Sequence, residues 1–350
     1  MLPTHAEPIV TIPFVLTGFG NIGRTLLAIL GERHASYAAQ YGLDLRCVGL
    51  ADSSGVAYEP AGFDMVAVAT AKAQGQAVAT LPQYDPTLTG VALIERAQPK
   101  LLLEATPTNL RDGQPGLDLV RTALRQGCHA VLASKGPLVL AYQELAALSA
   151  DRHGPQLRFS GAVGGALPTV AMRHHLAGAV IERAELVVNG TTQVILETMA
   201  TGADFATALA EAQRQGIVEP DPSLDVDGWD AANKLVIFAN AVLGQPTTLA
   251  DLEVSGIRAL TPETIKAAWA TGGRISLVGL ALRQPDARYT LTVGPATLAP
   301  THPLAHLNLG EMGFVITSDL AGRTTVASLE DGPVGTCQAM IRDLIEILAS

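Results

Sequence analysis

Between Gly216 and Lys234 the chain places five carboxylates, Glu219, Asp221, Asp225, Asp227 and Asp230, ahead of a single ammonium, Lys234. Pro220 and Pro222 stiffen the first half, which puts Glu219 and Asp221 on a turn. Gly228 closes that turn, and Trp229, Ala232, Leu235, Val236 and Ala239 then recur at helical spacing. Asp230 and Lys234, four residues apart, share one face of that helix. An ammonium held beside a carboxylate can donate a proton and stabilise negative charge developing on oxygen. Glu219 and Asp225 arrive beside this pair from the loop before the helix. Two plainer readings compete. Acids before a helix cap it, and an exposed pair at this spacing is a solvated salt bridge worth about 0.3–0.5 kcal/mol. A calcium loop starting at Ser223 would put Lys234 at its twelfth position, where a bidentate glutamate is needed, so that reading is excluded.

The elements that would position these groups begin at the N-terminus. Ile9 to Thr17 is an apolar run suited to a buried parallel strand, and it ends in Gly18-Phe19-Gly20-Asn21-Ile22-Gly23. Ile22, Leu26, Leu27 and Leu30 then repeat at helical spacing. Strand, glycine turn and helix form the context in which a GxGxxG holds a dinucleotide. Gly18 permits the tight turn, Gly20 lets the pyrophosphate approach the backbone, and Gly23 lets helix and strand pack closely. Leu45 to Leu50 predicts a second strand ending near Asp52, where an acid grips the adenosine ribose and favours NAD over NADP. Turn chemistry explains an aspartate there equally well. Leu101 to Glu104 leads into Thr106 and Pro107, and His129 to Ala133 leads into Ser134 and Lys135. Strand ends of a doubly wound sheet face the ligand crevice, so Thr106, Pro107 and Lys135 are expected at the nicotinamide end.

Composition bounds the rest. A chain of 350 residues with 48% hydrophobic and 16% charged residues has core enough for two domains. A net charge of −10 and the absence of any basic run argue against a nucleic-acid partner. The N-terminal segment does not read as a signal peptide, and no apolar run reaches the roughly 20 residues of a membrane span. Cys47, Cys128 and Cys337 are widely spaced and read as reduced core residues of a cytosolic protein. Residues 159–168 read as a glycine-rich strand and turn, Arg183 to Val188 as a strand, and Asn189-Gly190-Thr191-Thr192 as the turn opening a further helix. Expected domains are 1–150 for the nucleotide, completed by about 320–350, and 151–320 for catalysis and dimerisation. The expected fold is α/β, a doubly wound Rossmann-type domain plus an α+β domain.

The chain resembles homoserine dehydrogenase in its short form without a C-terminal regulatory domain. The motifs that carry this are Gly18 to Gly23, Ala133-Ser134-Lys135-Gly136-Pro137-Leu138, Val163-Gly164-Gly165-Ala166-Leu167-Pro168, Asn189-Gly190-Thr191-Thr192, and Glu219-Pro220-Asp221-Pro222 through Asp225, Gly228, Asp230 and Lys234. The resemblance covers roughly residues 14 to 345 and implies an NAD(P)-linked, cytoplasmic, homodimeric enzyme that interconverts L-homoserine and L-aspartate 4-semialdehyde in threonine and methionine biosynthesis. By position, Lys234 and Lys135 resemble the active-site lysines, Asp230 the aspartate beside them, and Glu219 the carboxylate for the substrate amino group. Asp225, Gly190 and Thr191 join the substrate site, and Gly335 joins the cofactor site.

Departures from the family pattern cluster on the substrate and cation side. Ser160 stands where the family usually has a glutamate that helps hold a monovalent cation, leaving the backbone carbonyls of Val163 and Gly165 as the remaining ligands. Ile217 replaces a tyrosine, Ser134 an asparagine, and the glycine-rich segment at Gly332-Pro333-Val334-Gly335 is shortened. Two alternatives follow: an oxidoreductase acting on another small hydroxy or oxo amino acid, and a nucleotide-binding regulator without catalysis.

Overall fold

The computed structural model describes residues 9–215, 221–330 and 332–349. The chain divides into two units, Met1–Gly165 with Gly332–Ser350, and Ala166–Asp331. The first is built on a six-stranded sheet of β1 (Val10–Thr17), β2 (Leu43–Asp52), β3 (Gly55–Tyr58), β4 (Leu101–Glu104), β5 (His129–Leu132) and β6 (Leu157–Arg158), in the order β3-β2-β1-β4-β5-β6. All its pairings are parallel except β2 with β3. Parallel strands covered on both faces must be apolar throughout, and every residue of β4 is buried. Leu26, Leu27 and Leu30 of the helix Asn21–Glu32 pack with Phe14 and Leu16 of β1 into this core. Met340, Ile341 and Leu344 of the C-terminal helix Val334–Leu348 join the same cluster.

The sequence places a strand at the start of the segment 159–168, but the ordered strand is only Leu157–Arg158 and is followed by a 3-10 turn, Ser160–Ala162. The reason is a side chain from far along the chain. Asp343, 1% exposed, accepts hydrogen bonds from the Ser160 backbone N–H and hydroxyl, each at 2.7 Å. Those donors are satisfied without a neighbouring strand. Because β6 pairs with β5, residues 151–165 belong to the first unit, and the expected boundary at 150 moves to Gly165. Asp343→Ala strands both Ser160 donors in the core and is expected to cost about 1–3 kcal/mol. Thermal unfolding should show a clearly lowered midpoint, with Asp343→Asn, which keeps an acceptor, falling less.

The second unit carries β7 (Ile181–Val187), β8 (Leu252–Val254), β9 (Arg274–Arg283), β10 (Tyr289–Leu298), β11 (Glu311–Ser318) and β12 (Gly322–Leu329), in the order β12-β11-β7-β9-β10-β8. Its pairings are antiparallel apart from β8 with β10. The strand β12 belongs to this sheet, so the return to the first unit comes at Gly332 and not near 320. Ala184 and Leu186 of β7, Leu277 and Ala281 of β9, and Ile195, Leu235 and Phe238 from two helices share one core. Among the described residues no helix is long and apolar enough to cross a membrane. All three cysteines are buried and free, and burial pushes the Cys128 and Cys337 thiols up to about 12.

Candidate active site

In the second unit the sequence folds as the spacing predicts around Lys234. The helix Trp229–Phe238 starts after Gly228 and carries Asp230 in its first turn. The Lys234 ammonium lies 2.8 Å from Asp230 Oδ2 and also donates to the Val188 carbonyl at the end of β7. The solvated-pair reading does not hold, because Lys234 is 7% exposed. Asn189 ties the group together: its Nδ2 donates to Asp225 Oδ1 at 2.6 Å and to Asp230 Oδ2 at 3.0 Å. Its Oδ1 meanwhile caps the helix Gly190–Ala200 by accepting from the Thr192 N–H at 2.9 Å. Burial and the neighbouring Asp230 raise the Asp225 carboxyl above the ordinary aspartate range, with Asn189, Lys234 and Thr191 acting in the opposite sense. Gly190 and Thr191 begin the helix beside this network.

Sequence reasoning assigned no individual role to Asn189, and its cap position was the available signal. Glu330 was also missed. It accepts from the Ala166 backbone N–H at 2.8 Å, and burial raises its carboxyl, an effect that Lys234 partly counters. No sequence signal marks Glu330, since 164 residues separate it from its partner. Glu219 and Ile217 lie outside the described residues.

In the first unit the strand order reverses its winding between β1 and β4, so the crevice opens at their C-terminal ends. Gly18 has φ +81°, and a Cβ there would lie 2.1 Å from the Ala105 carbonyl carbon. Gly20 directly precedes the helix Asn21–Glu32, and a Cβ built on it meets no heavy atom within 4 Å. Open space over a backbone at a helix N-terminus is what a pyrophosphate requires, so these residues fit a dinucleotide. Phe19, 1% exposed, is a core side chain, so only its backbone faces the turn. Asn21 accepts from Arg24 at 2.9 Å, and Ile22 contributes its carbonyl to the Cys337 thiol at 3.6 Å. That contact sets the start of the C-terminal helix, which contains Gly335, against the start of the first helix.

Asp52 closes β2, and its surroundings were not legible in the sequence. Oδ1 accepts from the Ser54 N–H at 2.8 Å, and Oδ2 pairs with Lys72 of the helix Met65–Ala73 at 2.5 Å. Burial works against its charged form, but Lys72 and Ser54 more than offset this and hold the carboxyl below the usual range. Thr106 is half-buried and Pro107 exposed after β4, and Lys135 occupies the position just before the helix Gly136–Leu148 after β5. Among the described residues no group of three or more His, Cys, Asp or Glu could hold a metal ion. Val163 and Gly165 follow the Ser160 turn, whose hydroxyl is committed to Asp343.

The family model described as homoserine dehydrogenase matches residues 167–345, and the model of its NAD-binding domain matches residues 18–159. An "NAD(+)-dependent homoserine dehydrogenase" from Pseudomonas canavaninivorans is 34% identical over 95% of this chain and 95% of that one. A homoserine dehydrogenase from Methanocaldococcus jannaschii is 33% identical over 96% of this chain and 98% of that one. The chain belongs to the homoserine dehydrogenase family. It is an oxidoreductase that interconverts L-homoserine and L-aspartate 4-semialdehyde with NAD or NADP as hydride carrier, so neither alternative activity is retained. Among solved structures, a hyperthermophilic archaeal homoserine dehydrogenase mutant in complex with NADPH superposes with a TM-score of 0.83 at 25% identity, over 97% of this chain and 98% of that one.

Proposed function

We propose that Lys234 is the acid/base of this homoserine dehydrogenase and that Asp230 holds it in place. The observation that carries this is the buried ammonium gripped by Asp230 and the Val188 carbonyl. When bound, the nicotinamide supplies or accepts the hydride. Reduction of the aldehyde builds negative charge on oxygen, which Lys234 stabilises and then protonates; oxidation of the alcohol runs the same steps in reverse. Asp225, Asp230 and Glu219 offer anions to the substrate amino group, while Gly190 and Thr191 supply donors to its carboxylate. Asn189 keeps Asp225 and Asp230 at a fixed separation. In the first unit the glycine turn, Asp52, Thr106, Pro107 and Gly335 serve the nucleotide, and Lys135 serves its nicotinamide end. The homodimer follows from the family resemblance alone. Steady-state turnover and the homoserine KM of Lys234→Ala and Asp230→Asn test this assignment; near-normal turnover per folded molecule in Lys234→Ala would overturn it.

NAD is the proposed preferred cofactor, because Asp52 repels a 2′-phosphate. Lys72 weakens that preference by pairing with the same carboxylate. Lys72→Ala is therefore expected to weaken NADP binding more than NAD binding, widening the ratio of their dissociation constants. Fluorescence titration of both reduced cofactors measures it, and an unchanged ratio removes Lys72 from the cofactor corner.

A further inference from the structure

Glu104 has no part in the chemistry described so far, yet it is a fully buried carboxylate at the crevice end of β4. Its Oε1 accepts from the Thr106 N–H at 2.8 Å and from the Thr106 hydroxyl. Its Oε2 accepts from the hydroxyl of Ser134, in the turn after β5. The Ser134 backbone adds a further hydrogen bond. No ion pair with Glu104 is found among the described residues, so hydrogen bonds alone compensate the buried group. An uncompensated charge in such a place is costly, and a neutral side chain would serve packing at less cost.

The surroundings leave it no freedom. A Cβ at Gly116 would lie 3.2 Å from Glu104 Oε1 and 3.1 Å from Thr106 Oγ1. A second stitch joins the same two turns, with the Lys135 N–H donating to Thr108 Oγ1 at 3.3 Å. The strands beneath are in register, with Glu104 opposite Leu132. Every donor that reaches Glu104 thus comes from one of two segments. One is the Thr106–Pro107 turn and the other is the turn that presents Lys135.

We infer that Glu104 is a positioning residue of the dehydrogenase: its carboxylate laces the Thr106 turn to the Ser134–Lys135 turn and so fixes Lys135 at the nicotinamide end of the cofactor site. This rests on the proposed role of Lys135. The structure carries it through geometry, since one carboxylate spans both turns and, among the described residues, accepts from no third segment. Glu104→Gln keeps the shape but places an amide N–H₂ against one of the donors, and that link opens. A displacement of about 1 Å at a reacting group can cost on the order of 100-fold in rate. Ser134→Ala removes one link and leaves the carboxylate in place.

The test compares the wild-type enzyme with Glu104→Gln, Ser134→Ala and Lys135→Ala as full chains. Melting temperature, kcat, the KM for homoserine and the primary isotope effect with homoserine deuterated at its alcohol carbon are measured on each. Glu104→Gln should lose roughly 100-fold in kcat, with the homoserine KM close to wild type and a larger isotope effect as hydride transfer becomes limiting. Ser134→Ala should change in the same sense, by less. A purely structural role predicts lower melting temperatures, normal turnover per folded molecule and an unchanged isotope effect; that result overturns the inference. So does near-normal kcat in Glu104→Gln beside a crippled Lys135→Ala, which leaves the role of Lys135 standing. Near-normal turnover in Lys135→Ala removes Lys135 from the reaction and the inference with it. If Glu104→Gln does not fold, Ser134→Ala decides: normal kcat and isotope effect in that variant overturn the lacing role.

Discussion

Replacing Lys234 by alanine is expected to lower turnover by roughly 100-fold to 10,000-fold, the usual contribution of a positioned acid or base. The side chain is 9% exposed and is held by Asp230 at 2.8 Å and by the Val188 carbonyl. The exposed-pair reading predicts a loss of only about 0.3–0.5 kcal/mol, but burial alters that. Removing the ammonium leaves the Asp230 and Asp225 carboxylates, both tied to the Asn189 amide, without the buried positive charge that pairs with Asp230. Breaking a buried pair costs about 3–5 kcal/mol, and partial exposure of Asp230 brings this towards the lower end. The melting temperature should therefore fall along with turnover, and the rate must be expressed per folded molecule. Lys234→Arg separates the two effects. It keeps the positive charge beside Asp230 but replaces a compact donor with a guanidinium that does not give up its proton. It should restore much of the stability and little of the rate. If Lys234→Ala keeps more than about a tenth of wild-type turnover, the loss is too small for an essential acid or base and the assignment fails.

Gly20→Val is expected to abolish tight nucleotide binding while leaving the protein folded. The three glycines of the turn differ in what they tolerate. Gly18 sits at φ +81° with Ala105 2.1 Å from a notional Cβ, and a Cβ on Gly23 would lie 2.2 Å from the Gly18 carbonyl oxygen. Substitution at either position breaks the strand-turn-helix packing, so a loss of binding there would say nothing about the ligand. Gly20 has no heavy atom within 4 Å of a notional Cβ and an ordinary negative φ of −88°. Valine fits there until a pyrophosphate has to approach the same backbone. Affinity for NAD(H) and NADP(H) should drop at least about tenfold, or 1.4 kcal/mol. Circular dichroism and the melting temperature should match wild type. Unchanged affinity in a folded variant would remove Gly20 from the cofactor site.

The sequence alone determined the local pieces. Strand β1, the turn from Gly18 to Gly23 and the helix after it follow from short-range rules: an apolar run, glycine where φ is positive, and a 3.6-residue period. The placement of Asp230 and Lys234 on one helix face follows from the same period. The central strand β9, Arg274–Arg283, was not marked, because burial on both sides erases the alternation that identifies a strand. Only the tertiary structure decided the partners that arrive from distant segments. It brought Asp343 to Ser160, Glu330 to Ala166, Lys72 to Asp52 and Ser134 to Glu104. It also decided that the Asp230–Lys234 pair is buried and not solvated. Spacing on a helix says which residues share a face. What covers that face is set by strands and turns many residues away, and the environment of each charge becomes fixed only when those segments pack.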